Sequence, residues 1–145
     1  MANSIDYQLT EEGPRNAVVK LTGYLDTVNV SELPAIDITQ LFHNNDTRMV
    51  LTGLRVDLIE WSISTGLEVN LAWASSNPQQ IYLLAGRGRI NSTNYGGFIP
   101  DMTRPGYNGD INLTTVGYTP GTGANFSIIL ELVKLYSVTS LGMPS

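Results

Sequence analysis

The chain has no cysteine, which removes disulfides, thiolate metal sites and thiol nucleophiles together. It has one histidine, His43, so a two-histidine metal site is excluded, and a histidine-based triad would rest on one residue in the turn-like run LFHNND. Charge is scarce as well. Charged residues make up 14% of the 145, Lys and Arg together number 8, and the formal net charge is -5. The basic residues are scattered, so nothing gathers the phosphate contacts on which nucleic-acid affinity depends. No window approaches the roughly 18 consecutive apolar residues of a membrane-spanning helix. The opening MANSIDYQLTEEGPRN lacks a basic stretch followed by an apolar run, which leads to the expectation of a chain made and at first kept in a cytoplasm.

Hydrophobic residues make up 42%, and small polar residues stand where Lys and Glu would coat exposed helices. The length suits one domain. Period-2 alternation is strong in LEVNLAW, with Leu67, Val69, Leu71 and Trp73 on one face, and in AVVKLTGYL, with Ala17, Val19, Leu21 and Leu25 on one face. In the second, Gly23 reads as a bulge. LRVDLIEWSIS and NFSIILELVKLYSV read as strands buried, or nearly so, on both faces; Trp61 and Trp73, each within an alternating apolar strand, read as core residues. IDYQL, AIDITQL, QIYLLAG and DINLTTVG are shorter candidates separated by turn-rich pieces; AIDITQLFHNN is also open to a short helix. About eight strands with frequent turns predict an all-β fold: a two-sheet antiparallel β-sandwich of jelly-roll or immunoglobulin-like topology.

The reading divides the chain into an N-terminal arm over 1–16, a sandwich over 17–137 and a loosely held tail over 138–145. Glu11, Glu12, Gly13, Pro14 and Arg15 favour an extended or turned segment in the arm. A long loop, 85–110, interrupts the sandwich. Loops of that length are usually functional or disordered; Pro100, Pro105 and the aromatics Tyr95, Phe98 and Tyr107 argue for order. Those aromatics either form an exposed recognition surface or fold back to cap the sandwich.

Motifs for chemistry fail one by one. GRGRIN supplies Gly86 and Gly88 but has Asn91 where a dinucleotide fingerprint needs its third glycine, and no helix follows. Glycosylation sequons begin at Asn29, Asn45, Asn91, Asn112 and Asn125, where a Ser- and Thr-rich chain generates roughly two by chance; the opening residues carry the expectation of no leader to bring the chain to the modifying machinery, so modification is not expected. Glu11 with Glu12, or Asp101 with Asp110, are carboxylate pairs without the spacing of a calcium loop, and neighbouring surface carboxylates are usually only solvated. No catalytic residue, cofactor or metal is expected.

Two blocks, GPRNAVVKLTGYLDT and YGGFIPDMTRPGYNGDINLTTVGYTPGTGANFSIILELVK, resemble a group of small structural proteins of tailed bacteriophages, in which a Gly-Pro-Arg-Asn-Ala-Val-Val-Lys block and a later Gly-Asp-Ile-x-Leu-Thr-Thr-x-Gly block recur. The resemblance implies a non-enzymatic virion protein that decorates or cements the outer capsid surface, made in the host bacterial cytoplasm, with the major capsid protein as partner. Self-association is expected besides, as a dimer ahead of a trimer, because a small sandwich leaves edge strands to cover. Nucleic acid and membrane are not expected partners. Tyr7, Glu11, Glu12, Pro14, Arg15, Arg87, Tyr95, Phe98, Arg104 and Tyr107 are the candidate contact residues. The alternative is a carbohydrate-binding or host-adhesion sandwich of the phage tail, with Tyr95, Phe98 and Tyr107 as stacking platforms.

Overall fold

The computed structural model describes residues 4–13, 15–25, 29, 33–41, 49–93, 96–117 and 124–138. They form nine strands: β1 (Ser4–Glu12), β2 (Asn16–Leu25), β3 (Leu33–Ile36), β4 (Met49–Ile63), β5 (Glu68–Trp73), β6 (Gln79–Ala85), β7 (Arg87–Asn91), β8 (Ile111–Val116) and β9 (Ala124–Val138). In the described part of AIDITQLFHNN the helix reading survives as a 3₁₀ turn over Ile38–Gln40, started by Asp37, whose carboxylate accepts from the Thr39 amide; its last four residues lie outside the described residues.

A five-stranded sheet in the order β1-β2-β9-β4-β7 (sheet A) packs against a four-stranded sheet in the order β3-β8-β5-β6 (sheet B), and every pairing is antiparallel. The chain is all-β and a sandwich. Its pairs are nested: β5 with β6, β4 with β7, β3 with β8 and β2 with β9. One long hairpin rolled up on itself produces that order, which is the jelly-roll arrangement. The immunoglobulin arrangement distributes its strands differently.

Alternation decides what lies between the sheets. Ala17, Val19, Leu21 and Leu25 of β2 and Ala124, Phe126, Ile128, Leu130 and Leu132 of β9 face inward, against Val69, Leu71 and Trp73 of β5 and Ile111 and Leu113 of β8, all buried. β9 is half-buried rather than buried on both faces, since Asn125, Ser127, Ile129 and Glu131 point out to solvent. β4 is buried at four successive positions, Val56–Ile59, because its register shifts between Val56 and Leu58 and the chain at Phe98 bridges to Val56.

Gly23 is not a bulge, because the register runs unbroken through it. A Cβ there would lie 2.3 Å from the Phe126 ring, so glycine leaves the space the ring fills.

Two boundaries move. The segment set apart as an arm is an integral edge strand: Ser4–Glu12 pairs with β2 from Ser4↔Tyr24 to Glu12↔Ala17. The first part of the long loop is also strand, since Arg87–Asn91 pairs with β4. Gly88 hides that strand from the sequence pattern. It faces Trp61, whose ring a Cβ would meet at 2.4 Å, so an inward position that an apolar residue would normally mark is empty of side chain. Trp73 is core, 4% exposed, with Nε1 donating to the Leu54 carbonyl at 3.1 Å. Trp61 is only half-buried, donates to the Ala85 carbonyl and tilts against Tyr82, closing the side of the sandwich where β6 and β7 end the two sheets.

Candidate functional site

The crossing from β7 back to β8, residues 92–110, is fastened along its length. Buried Ser92 donates its hydroxyl to the Val56 carbonyl at 2.7 Å, and the Val56 and Phe98 main chains exchange two bonds of 2.9 Å. The Gln79 side chain acts as a main-chain surrogate, donating to the Asp101 carbonyl at 2.8 Å and accepting the Asp101 amide at 2.7 Å. The Ser76 amide donates to Pro105, the Tyr107 hydroxyl donates to the Thr52 carbonyl at 2.8 Å, and Asp110 accepts the Ile38 amide at 2.9 Å. Gly53 makes room beneath: a Cβ there would lie 2.6 Å from the Tyr107 oxygen and 2.9 Å from the Met102 methyl.

This anchoring turns the aromatics inward. Phe98 is half-buried and stacks on Tyr82, centroids 6.0 Å apart. Tyr107 is half-buried, and burial followed by the Asp110 charge pushes its phenol up to about 12. Tyr95 lies outside the described residues. An open cleft of about 360 Å³ beside the loop is lined by Leu51, Thr52, Met102, Tyr107, Asn108 and Ser137. Its described lining residues supply hydroxyls, a thioether and an amide and carry no charge.

The carboxylates serve turns. Asp101 accepts the Thr103 amide and hydroxyl, and the hydroxyl bond first, then the amide bond, holds its carboxyl below the ordinary value. Asp110 is raised by burial, which outweighs its bond from the Ile38 amide; Asp37 raises it further. No group of three or more metal-ligating side chains exists among the described residues, and no described helix is long and apolar enough to cross a membrane. His43 and Asn45 lie outside the described residues, Asn112 and Asn125 sit within strands, and Asn91 caps a turn by accepting the Thr93 amide.

The two outer faces of the sandwich differ sharply. Three of the outward rows that pairing aligns on sheet A are Asp6, Thr22, Ser127, Ser62, Arg87; then Gln8, Lys20, Ile129, Glu60, Arg89; then Glu11, Val18, Glu131, Leu58, Asn91, flanked by Ser4, Tyr24, Asn125 at one end and Asn16, Val133, Arg55 at the other. Charges of both signs run through them, and Arg89 lies 3.6 Å from Glu60. Sheet B aligns Pro34, Asn112, Ala72, Gln80; then Thr114, Asn70, Leu83; then Val116, Glu68, Ala85. Glu68 is the one charged side chain among those rows. Leu83 is 48% exposed and Val116 53%. The Asn70 Oδ1 between them is buried and accepts no hydrogen bond. Sheet B thus presents apolar and amide groups with a single charge, where sheet A presents charges of both signs.

Compared with known proteins, the chain matches no family model, no curated protein and no solved structure.

The contact residues read from the sequence do not come together. Tyr7, Glu11 and Glu12 lie on β1 and exposed Arg15 in the turn after it, at one edge of sheet A; exposed Arg87 lies on β7, at the opposite edge. Phe98, Arg104 and Tyr107 belong to the crossing loop, where Arg104 is 3.9 Å from Asp101. Pro14 lies outside the described residues. Glu12 turns inward to Lys134, with 2.7 Å between Oε2 and Nζ. Tyr7 is 39% exposed, its phenol raised by burial and next by Glu12. The uncharged face of sheet B has no continuous sequence signal, because its rows combine residues from four separate strands.

Proposed function

We propose that the chain is a non-enzymatic structural protein of a bacteriophage virion, a decoration or cement protein seated on the outer capsid surface, where it braces contacts between major capsid subunits. The observation that carries this reading is the contrast between the outer faces. A nearly uncharged sheet B with exposed Leu83 and Val116 suits burial against a protein shell, and a sheet A studded with both charge signs suits solvent. The resemblance of the GPRNAVVK and GDINLTTVG blocks to phage structural proteins supplies the setting. The formal charge of -5 suits an outer position, since a protein beside packaged DNA meets like-charge repulsion. The tail-adhesion alternative has less support: a stacking platform for sugars needs open aromatic faces, and Phe98 and Tyr107 are committed to Tyr82 and Thr52.

Gradient-purified virions analysed by quantitative mass spectrometry test the reading. Hundreds of copies per particle are expected; a few dozen or fewer move the protein to the tail, and absence from the particle overturns a virion role. On capsids stripped of the protein, Leu83→Arg combined with Val116→Arg is expected to abolish rebinding. The variant's thermal stability is expected to stay within about 0.5 kcal/mol of the parent. Equal rebinding by parent and variant would remove the sheet B face from the contact.

A further inference from the structure

Sheet A has a side that the described residues leave open. Among the described residues β1 pairs with β2 on one side and with no strand on the other, so alternate residues of Ser4–Glu12 present amide and carbonyl groups outward. The other three sheet edges carry protective features. β3 is four residues long, contains Pro34 and shifts register beside it. β7 is five residues long and carries Arg87 and Arg89. β6 shifts register after Gln80, and its first residue, Gln79, is bonded to the crossing loop. β1 is nine residues long, contains no Pro, Lys or Arg, and shifts register only near its end, between Leu9 and Glu11.

The inward face of β1 is also incomplete. Five strands face four, and the strand without a counterpart in sheet B leaves Tyr7 39% exposed, with Ile5 and Leu9 only partly buried against the core. An apolar shelf beside an unpaired edge is completed by another strand carrying a like shelf.

We propose that β1 pairs with β1 of a second copy of this chain, antiparallel about a two-fold axis through Tyr7, joining the two five-stranded sheets into one continuous sheet. The register follows from three constraints. Directly opposed residues in an antiparallel pair share a face, so the axis passes through a residue and not between two. The register with β2 shifts at Thr10, between Leu9 and Glu11, which confines regular pairing to Ser4–Leu9 and centres it on Asp6 or Tyr7. An axis through Asp6 opposes two aspartates, which is unfavourable. With the axis through Tyr7, Tyr7 meets Tyr7, Ile5 meets Leu9 on the apolar face, and Asp6 meets Gln8 on the polar face. No like charges are directly opposed, and both apolar shelves become one. This dimer uses the edge of sheet A and leaves the sheet B face open, so it stands or falls independently of the capsid reading.

The absence of cysteine makes the register readable by cross-linking. Directly opposed Cβ atoms lie about 4.5–5.5 Å apart, close enough for a disulfide, whereas diagonal neighbours at about 7–8 Å are not. Under mild oxidation Tyr7→Cys is expected to give a covalent dimer by itself. Asp6→Cys and Gln8→Cys are each expected to give little alone and to cross-link efficiently when mixed. Sedimentation of the unmodified chain at about 100 μM is expected to show a dimer, the weak affinity reflecting a small contact, and Tyr7→Lys is expected to shift it to monomer. If Tyr7→Lys fails to fold, the cross-linking pattern still decides. A monomeric unmodified chain overturns the proposal. So does a dimer that cross-links through Leu83→Cys on sheet B but not through Tyr7→Cys, or one in which Asp6→Cys alone reacts as well as Tyr7→Cys.

Discussion

The Lys134 ammonium, on a side chain with no exposed surface, lies 2.7 Å from Glu12 Oε2 and also donates to the Gly13 carbonyl at 2.7 Å. The pair ties the end of edge strand β1 to the middle of the longest inter-strand ladder, β4 with β9, where Lys134 opposes Leu54. Removing one partner of a buried pair strands the other, and the cost depends on how well the survivor reaches water. The Glu12 side chain is 17% exposed and that of Lys134 is not exposed at all. Glu12→Ala is therefore expected to cost on the order of 3 kcal/mol, and Lys134→Met distinctly less, since Glu12 can hydrate and methionine fills the space. Urea midpoints at pH 7 give the order, and the reverse order would mean that Glu12 is the more deeply desolvated partner. The same pair predicts that deleting residues 1–12 lowers stability rather than leaving an intact domain.

The two tryptophans are expected to behave differently. Trp73→Ala removes a nearly fully buried indole and its bond to the Leu54 carbonyl, at a cost of about 3–5 kcal/mol. Trp61→Ala, at a half-buried position, costs less and frees the Tyr82 ring. Comparing thermal midpoints of the two variants decides; equal losses would show that the β6–β7 side is packed as tightly as the centre.

Gly53→Ala puts a methyl group where the Tyr107 hydroxyl and the Met102 methyl lie. The crossing loop is expected to lift, at about 1–3 kcal/mol, with new cleavage between Asp101 and Tyr107 in limited proteolysis. An unchanged cleavage pattern would show that the anchors at Ser92, Gln79 and Asp110 hold the loop without Tyr107.

Tyr107 also fixes a pH dependence. Its phenol ionises near 12 in the folded chain against 10.0 for the ordinary group, so the folded state holds its proton more tightly. The associated stability is fully present below pH 10 and is lost as pH rises through 12. Tyr107→Phe is expected to cost about 1 kcal/mol at neutral pH through the lost bond to Thr52. It is also expected to flatten the decline measured by denaturant midpoints between pH 9 and 12. A parallel decline in both proteins would assign the alkaline transition to other groups.

Where a strand lines the core on one side, the sequence already shows it: Leu67, Val69, Leu71 and Trp73, or Ala17, Val19, Leu21 and Leu25, need only local alternation. β7 was illegible because Gly88 yields its inward place to a tryptophan from another strand, and its arginines resemble loop residues. The inward turn of Phe98 and Tyr107 depends on Tyr82 and on the missing side chain at Gly53, neither adjacent in sequence. The nearly uncharged face of sheet B was least accessible. Val116, Glu68 and Ala85 form a row only after three strands have taken their registers.

The nested pairing carries a consequence for synthesis on the ribosome. β5 finds β6 at once, but Val19 waits for Leu130 and Leu54 for Lys134, in the last strand described. At about 5–20 residues per second, β2 emerges several seconds or more before its second partner, β9, exists. During that interval Val19, Leu21 and Leu25 have only the β1 hairpin beside them, so nascent chains lacking β9 are expected to be the ones that chaperones hold and proteases remove.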